Sequence, residues 1–94
     1  MINSFMFAAA LTSFSSSVGS TSQGTTCTQT LNQTYYHNGA NTLPDVGDTV
    51  YSDLAGTSPL STNHYRNNSS GTFRIEAPSF GNPQTGVVIS TSLC

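Results

Sequence analysis

The 94-residue chain holds two arginines, no lysine and four acids, so 6% of it is charged and its net charge is -2. That length supports one small domain with a thin core, for which a staple or a partner is expected. The chain lacks the basic clusters that hold nucleic acid or anionic lipid, which excludes both as expected partners, and its low charge suits an assembly better than a solitary soluble monomer.

The amino-terminal stretch MINSFMFAAALTSFSSSVG has the apolar run and trailing small residues of a signal peptide but no charged region ahead of them. It reads as retained, and it is too short to cross a bilayer. Phe7, Leu11, Phe14 and Val18 recur at spacings of four, three and four, which places them on one face of a helix. Asn3 or Ser4 would cap that helix, and the serine run with Gly19 would end it. An extended arm is an equal alternative. With Phe5 these residues form the expected anchor, residues 1–18, because an exposed apolar stripe is marginal in water and should be buried on another subunit. A trimer and a monomer inserted among other subunits would both bury it.

Residues 19–26, GSTSQGTT, read as a linker. From Cys27 to Cys94 the pattern is all-β: a small antiparallel meander, sandwich-like or partly barrel-like module of about five short strands. The predicted strands are Thr28–His37, Asp48–Ser52, Asn63–Arg66, Thr72–Ala77 and Gly86–Ser92. Asn38-Gly39, expected to form a tight hairpin turn, PDVG at 44–47, AGTSP at 55–59, NNSSG at 67–71 and GNPQTG at 81–86 separate them. Cys27 and Cys94 bracket the module, and an even pair so placed suggests a disulfide, the alternative being two free buried thiols.

Chemistry-bearing residues are few. Asp45, Asp48 and Asp53, with Asn38 and Asn41 nearby, could be imagined as calcium ligands, but the spacing does not match an EF-hand, and Asp is common in turns for its own hydrogen bonds. His37 and His64 fall at unrelated spacing, without a zinc pattern. No GxSxG elbow is present, so no catalytic residue, metal or cofactor is expected. Tyr36, Asn38, Asp45 and Asp53 are the candidate surface-binding residues, since tyrosine offers a flat apolar face with a polar tip. Asn32, Asn67 and Asn68 begin N-x-S/T triplets.

The succession of Cys27, YYHNG, LPDVGDTVYSD, AGTSPLS, GVV and the final Cys94 resembles a small module that recurs in Bacteroidetes surface proteins and in structural proteins of bacteriophages. The likeness covers about residues 27–94, with VGDTVYSDLAGTSPLS its most specific part, while Thr62–Pro83 is longer and more polar than the pattern. Joined to the apolar arm, the resemblance implies a non-enzymatic virion protein of the capsid-decoration or head-fibre kind. The arm would grip major capsid or tail subunits while the module projects at the virion surface. The alternative it implies is a phage tail or bacterial cell-surface adhesion module for host glycan.

Overall fold

Period-two alternation of large and small side chains writes the strands. In β1 (Thr12–Ser16), Phe14 and Ser16 turn inward while Ser13 and Ser15 are exposed; in β2 (Gln33–His37), Tyr35 and His37 turn inward. A computed structural model of the chain describes residues 11–68, 70–75 and 86–94. A short helix, α1 (Gln23–Thr26), separates these two strands, and β3 (Val50–Tyr51), β4 (Asn63–Asn68), β5 (Gly71–Ile75) and β6 (Val88–Leu93) follow. The architecture is all-β, as expected: β1-β2-β3 form one antiparallel sheet and β4-β5-β6 a second.

The two sheets meet at both of their edges. At one seam Ser20 and His64 exchange main-chain hydrogen bonds of 3.0 and 2.8 Å. A few residues earlier the ladder continues through side chains: Ser16 Oγ donates to the Arg66 carbonyl, and Ser17 Oγ accepts from the Arg66 N–H at 3.2 Å. At the other seam Thr49 bridges Val87, flanked by Gly47 N–H to Val88 O (2.9 Å), Val88 N–H to Asp48 O (2.9 Å) and Val50 N–H to Gly86 O (2.8 Å). The strands therefore follow one another around the core in the order β1-β2-β3-β6-β5-β4. Such closure pairs the edge strands, which would otherwise offer open hydrogen-bonding rows to other chains. Gly86 allows the second seam to close: its φ is +68°, and a Cβ there would lie 2.7 Å from the Val50 carbonyl oxygen.

The core is aromatic. Phe14 meets Tyr35, His37 and Phe73 edge-on at centroid distances of 6.3, 5.6 and 5.8 Å, and Tyr65 stacks on Phe73 at 5.4 Å. Val50, Leu60, Ile75 and Val88 complete it, with Leu43 packed against it. Offset and edge-on pairs of this kind add to what area burial alone supplies. Cys27 and Cys94 form the expected disulfide, their Cα atoms 5.6 Å apart.

Each of the five expected strands contains a strand, although the expected end of the fourth, Glu76 and Ala77, lies outside the described residues. Three expectations are corrected. Leu11–Ser16 is not helical, and Phe14 is not an anchor for a partner: strand alternation turns it into its own chain's core, where it is 7% exposed. Phe5 and Phe7 lie outside the described residues. The 19–26 stretch is not a free linker, since Ser20 is part of a seam and Ser22 caps α1, accepting from Thr25 N–H at 3.2 Å. The module's boundary thus precedes Cys27, because β1 supplies core and edge pairing that β2–β6 alone would lack. Finally, Asn38-Gly39 is not a tight hairpin. His37 pairs with Val50, so β2 and β3 are joined by the longer loop 38–49.

Two outcomes follow for stability. Phe14→Ala removes the side chain shared by both sheets and should cost about 3–5 kcal/mol in urea unfolding. A loss under about 1 kcal/mol would mean that β1 is not part of the cooperative unit. Replacing both cysteines by serine should cost roughly 4 kcal/mol for a loop of this length in the chain-entropy treatment, read as a lower urea midpoint than that of the oxidised protein.

Candidate functional site

The antiparallel register sets Thr12, at the start of β1, opposite His37, at the end of β2, and His37 opposite Val50, at the start of β3. Leu11, where the amino-terminal sequence joins the fold, and loop 38–49 therefore leave the first sheet at the same end. The Asn67–Gly71 turn and Leu93–Cys94 lie together beside α1 instead: Cys94 N–H donates to Ser70 O at 2.8 Å, Gln23 Nε2 donates to Leu93 O at 2.9 Å, and Cys94 is bridged to Cys27.

Loop 38–49 is organised by short polar side chains. Asn38 continues the ladder past β2: its N–H donates to Thr49 O at 3.2 Å, and its Oδ1 accepts from Thr49 N–H at 2.9 Å. An amide side chain here replaces the main-chain carbonyl, which frees the backbone to turn away. Gly39 N–H donates to His37 Nδ1 at 3.1 Å, so Nδ1 carries the lone pair and Nε2–H faces the Thr42 carbonyl at 3.3 Å. Asp48 Oδ2 accepts from Asp45 N–H at 2.8 Å and lies 3.8 Å from His37 Nδ1, beyond hydrogen-bond reach. Gly39 lets the Asp48 carboxylate lie where it does, since a Cβ there would overlap that carboxylate and displace it. Asp45 in turn holds Asn41 Nδ2 at 2.6 Å. Pro44 is buried and Leu43 touches the core, while Val46 at the tip is 61% exposed.

The candidate binding residues are not brought together. Asn38 and Asp45 share this loop, and both carry out local hydrogen bonding. Tyr36 stands on the outer face of the first sheet, paired with Tyr51. Asp53 belongs to the separate loop after β3, where its carboxylate accepts from the Thr57 hydroxyl, Thr57 N–H (3.0 Å) and Ser58 N–H (3.0 Å). The Thr57 hydroxyl foremost, with the Ser58 and Thr57 N–H groups, holds this carboxyl below its ordinary range against a smaller opposing effect of desolvation. That loop folds back over the outer face: a Cβ on Gly56 would lie 3.4 Å from Leu11 Cδ1 and 4.0 Å from the Tyr51 ring. Leu54, on the same loop, is 65% exposed. Of the anchor residues, Leu11 is half-buried at this face, and Val18 is 45% exposed beyond the other end of β1.

Sequence reasoning missed an open cleft of about 220 Å³ between the β4–β5 turn and the end of β6. Asn68, Ser70, Thr91, Ser92 and the exposed Leu93 line it, with no charged side chain among them. At its side Asn67 Oδ1 is buried and has no hydrogen-bond partner among the described residues. The NNSSG turn was the available signal, but nothing in it says that β6 lies alongside. Among the described residues no three His, Cys, Asp or Glu side chains come together to hold a metal, and no helix is long and apolar enough to cross a membrane. No protein-family profile, curated protein or solved structure matches the chain.

Two further groups titrate away from their ordinary values. Burial pushes the Tyr35 hydroxyl up, aided by neighbouring Tyr65, consistent with its donation to Ser17 O at 3.0 Å. His64 is lowered, first by desolvation and then by the Arg74 guanidinium across the strand pair. A histidine lowered in the fold is neutral there while the unfolded chain already takes up a proton, so its contribution is complete above about pH 6.5 and is lost as pH falls towards the folded value. The urea midpoint should therefore drop more between about pH 7.5 and pH 5.5 in the parent than in His64→Gln. Equal drops would remove His64 from the acid response.

Proposed function

We propose that the chain is a non-enzymatic virion structural protein of the capsid-decoration or head-fibre kind. It is held to major capsid or tail subunits by its amino-terminal segment, with the β-module at the particle surface. The observation that carries this reading is the division of apolar residues along the chain. The described core is built from Phe14 onward, within a closed circuit of strands, whereas the apolar sequence MINSFMFAAA precedes β1 altogether. The anchor is accordingly reassigned to Phe5, Phe7 and Leu11, with Phe14 withdrawn to the core and Val18 set aside beyond the far end of β1. The closed edges support the same reading, since a surface protein present in many copies must not pair edge to edge with its neighbours. The resemblance of residues 27–94 to a module of phage structural proteins is the remaining support.

A second reading, a phage tail or cell-surface adhesion module, draws on the neutral cleft beside Asn68 and Ser92. Hydroxyl and amide groups with one exposed leucine suit an uncharged sugar better than a charged ligand.

Deleting residues 1–10, which leaves β1 intact, should remove most of the protein from purified particles while the truncated protein keeps the urea midpoint of the parent. Incorporation at the parental copy number would end the anchor assignment. On a glycan array the truncated protein should stay at background, and binding there would favour adhesion.

A further inference from the structure

From loop 38–49 we infer that Asn38-Gly39 is a gated modification site. It is dormant while the loop is closed and converts to an aspartyl and an isoaspartyl linkage when the loop opens. This goes beyond the proposed function and does not depend on it.

The chemistry is that of an asparagine followed by glycine, where no side chain on the second residue hinders ring closure. The Gly39 amide nitrogen gives its proton to a solvent base and attacks Asn38 Cγ, forming the N–Cγ bond of a five-membered succinimide. The Cγ–Nδ2 bond breaks, and Nδ2 leaves with a proton as ammonia. Water then opens the ring at either carbonyl, leaving an aspartyl or an isoaspartyl residue in place of Asn38 without any change in oxidation state.

In the closed loop both reacting groups are engaged elsewhere. The attacking N–H is held by His37 Nδ1 at 3.1 Å, on a ring that is fully buried and packed edge-on against Phe14. The amide that must be attacked is held as a rung of the ladder, Oδ1 on Thr49 N–H at 2.9 Å, with Asn38 N–H on Thr49 O at 3.2 Å. Neither Cγ nor the Gly39 nitrogen can swing towards the other without breaking these bonds. The Asn38 side chain is itself exposed, so water and base reach the site as soon as they break. Conversion is then one-way. The isoaspartyl product lengthens the main chain by one atom within the rung, and either product adds a carboxylate to a loop that already holds Asp45 and Asp48.

The test compares the folded, oxidised protein with the same chain reduced and unfolded in urea, at one pH and temperature, with the aspartyl and isoaspartyl products of Asn38 quantified by peptide mapping. The folded protein should convert at least about tenfold more slowly, the factor that corresponds to an opening free energy of about 1.4 kcal/mol. Asp48→Ala, which removes the acceptor of Asp45 N–H and the carboxylate 3.8 Å from His37 Nδ1 but none of the hydrogen-bond partners of Asn38 and Gly39, should narrow that gap while leaving circular dichroism unchanged. A smaller gap in the parent, or faster conversion in the folded state with His37 acting as base, overturns the inference.

Discussion

Edge-on packing of Phe14 against Tyr35, His37 and Phe73 is the contact on which the two sheets depend, because it is made by a strand of one sheet on residues of both. A small chain has few large side chains to bury, and here rings do most of the work that a larger domain would spread over many aliphatic residues. With Phe14 in place, β1 is fixed between β2 and β4, and the first seam can form. The serines that follow it, Ser16 and Ser17, are fully buried yet satisfied, because their hydroxyls take the places that a main-chain ladder would have taken on Arg66.

Closure explains the economy of the rest. Tyr35 donates to Ser17 O and so ties the aromatic core to the seam. The second seam passes through Gly86, whose left-handed backbone sits against Val50 and Pro59. The disulfide then joins the chain just after α1 to the end of β6, and Gln23 Nε2 donates to Leu93 O at 2.9 Å beside it. Loop 38–49, whose acids looked like a site for chemistry, is held closed by those same acids acting as turn and ladder partners.

Much of the module was legible. Tyr35, Val50, Tyr65, Phe73 and Val88 fall in strands expected from alternation and turn punctuation, and the cysteine pair announced its own bridge. The first strand was not legible, because Phe7, Leu11, Phe14 and Val18 satisfy a helical spacing, while the inward alternation of Phe14 with Ser16 looks polar to any rule that expects apolar residues inside. The tight turn at Asn38-Gly39 failed for a related reason. Hairpin statistics assume that the two strands pair from that point, whereas His37 and Thr49 capture the Asn38-Gly39 backbone and side chain first. The neutral cleft was hidden because its two walls are far apart in sequence.

By itself the sequence determined the class of fold, the positions of five strands, the disulfide and the near absence of charge, since each follows from local alternation, turn chemistry or composition. Only the tertiary structure decided that Phe14 belongs to the core rather than to an anchor, that the two sheets close on each other, and that the acids of loop 38–49 are engaged within it. The physical reason is that these outcomes depend on partners distant in the chain: a helical or an extended reading of residues 11–18 is equally consistent with local propensity, and burial against Tyr35, His37 and Phe73 selects between them.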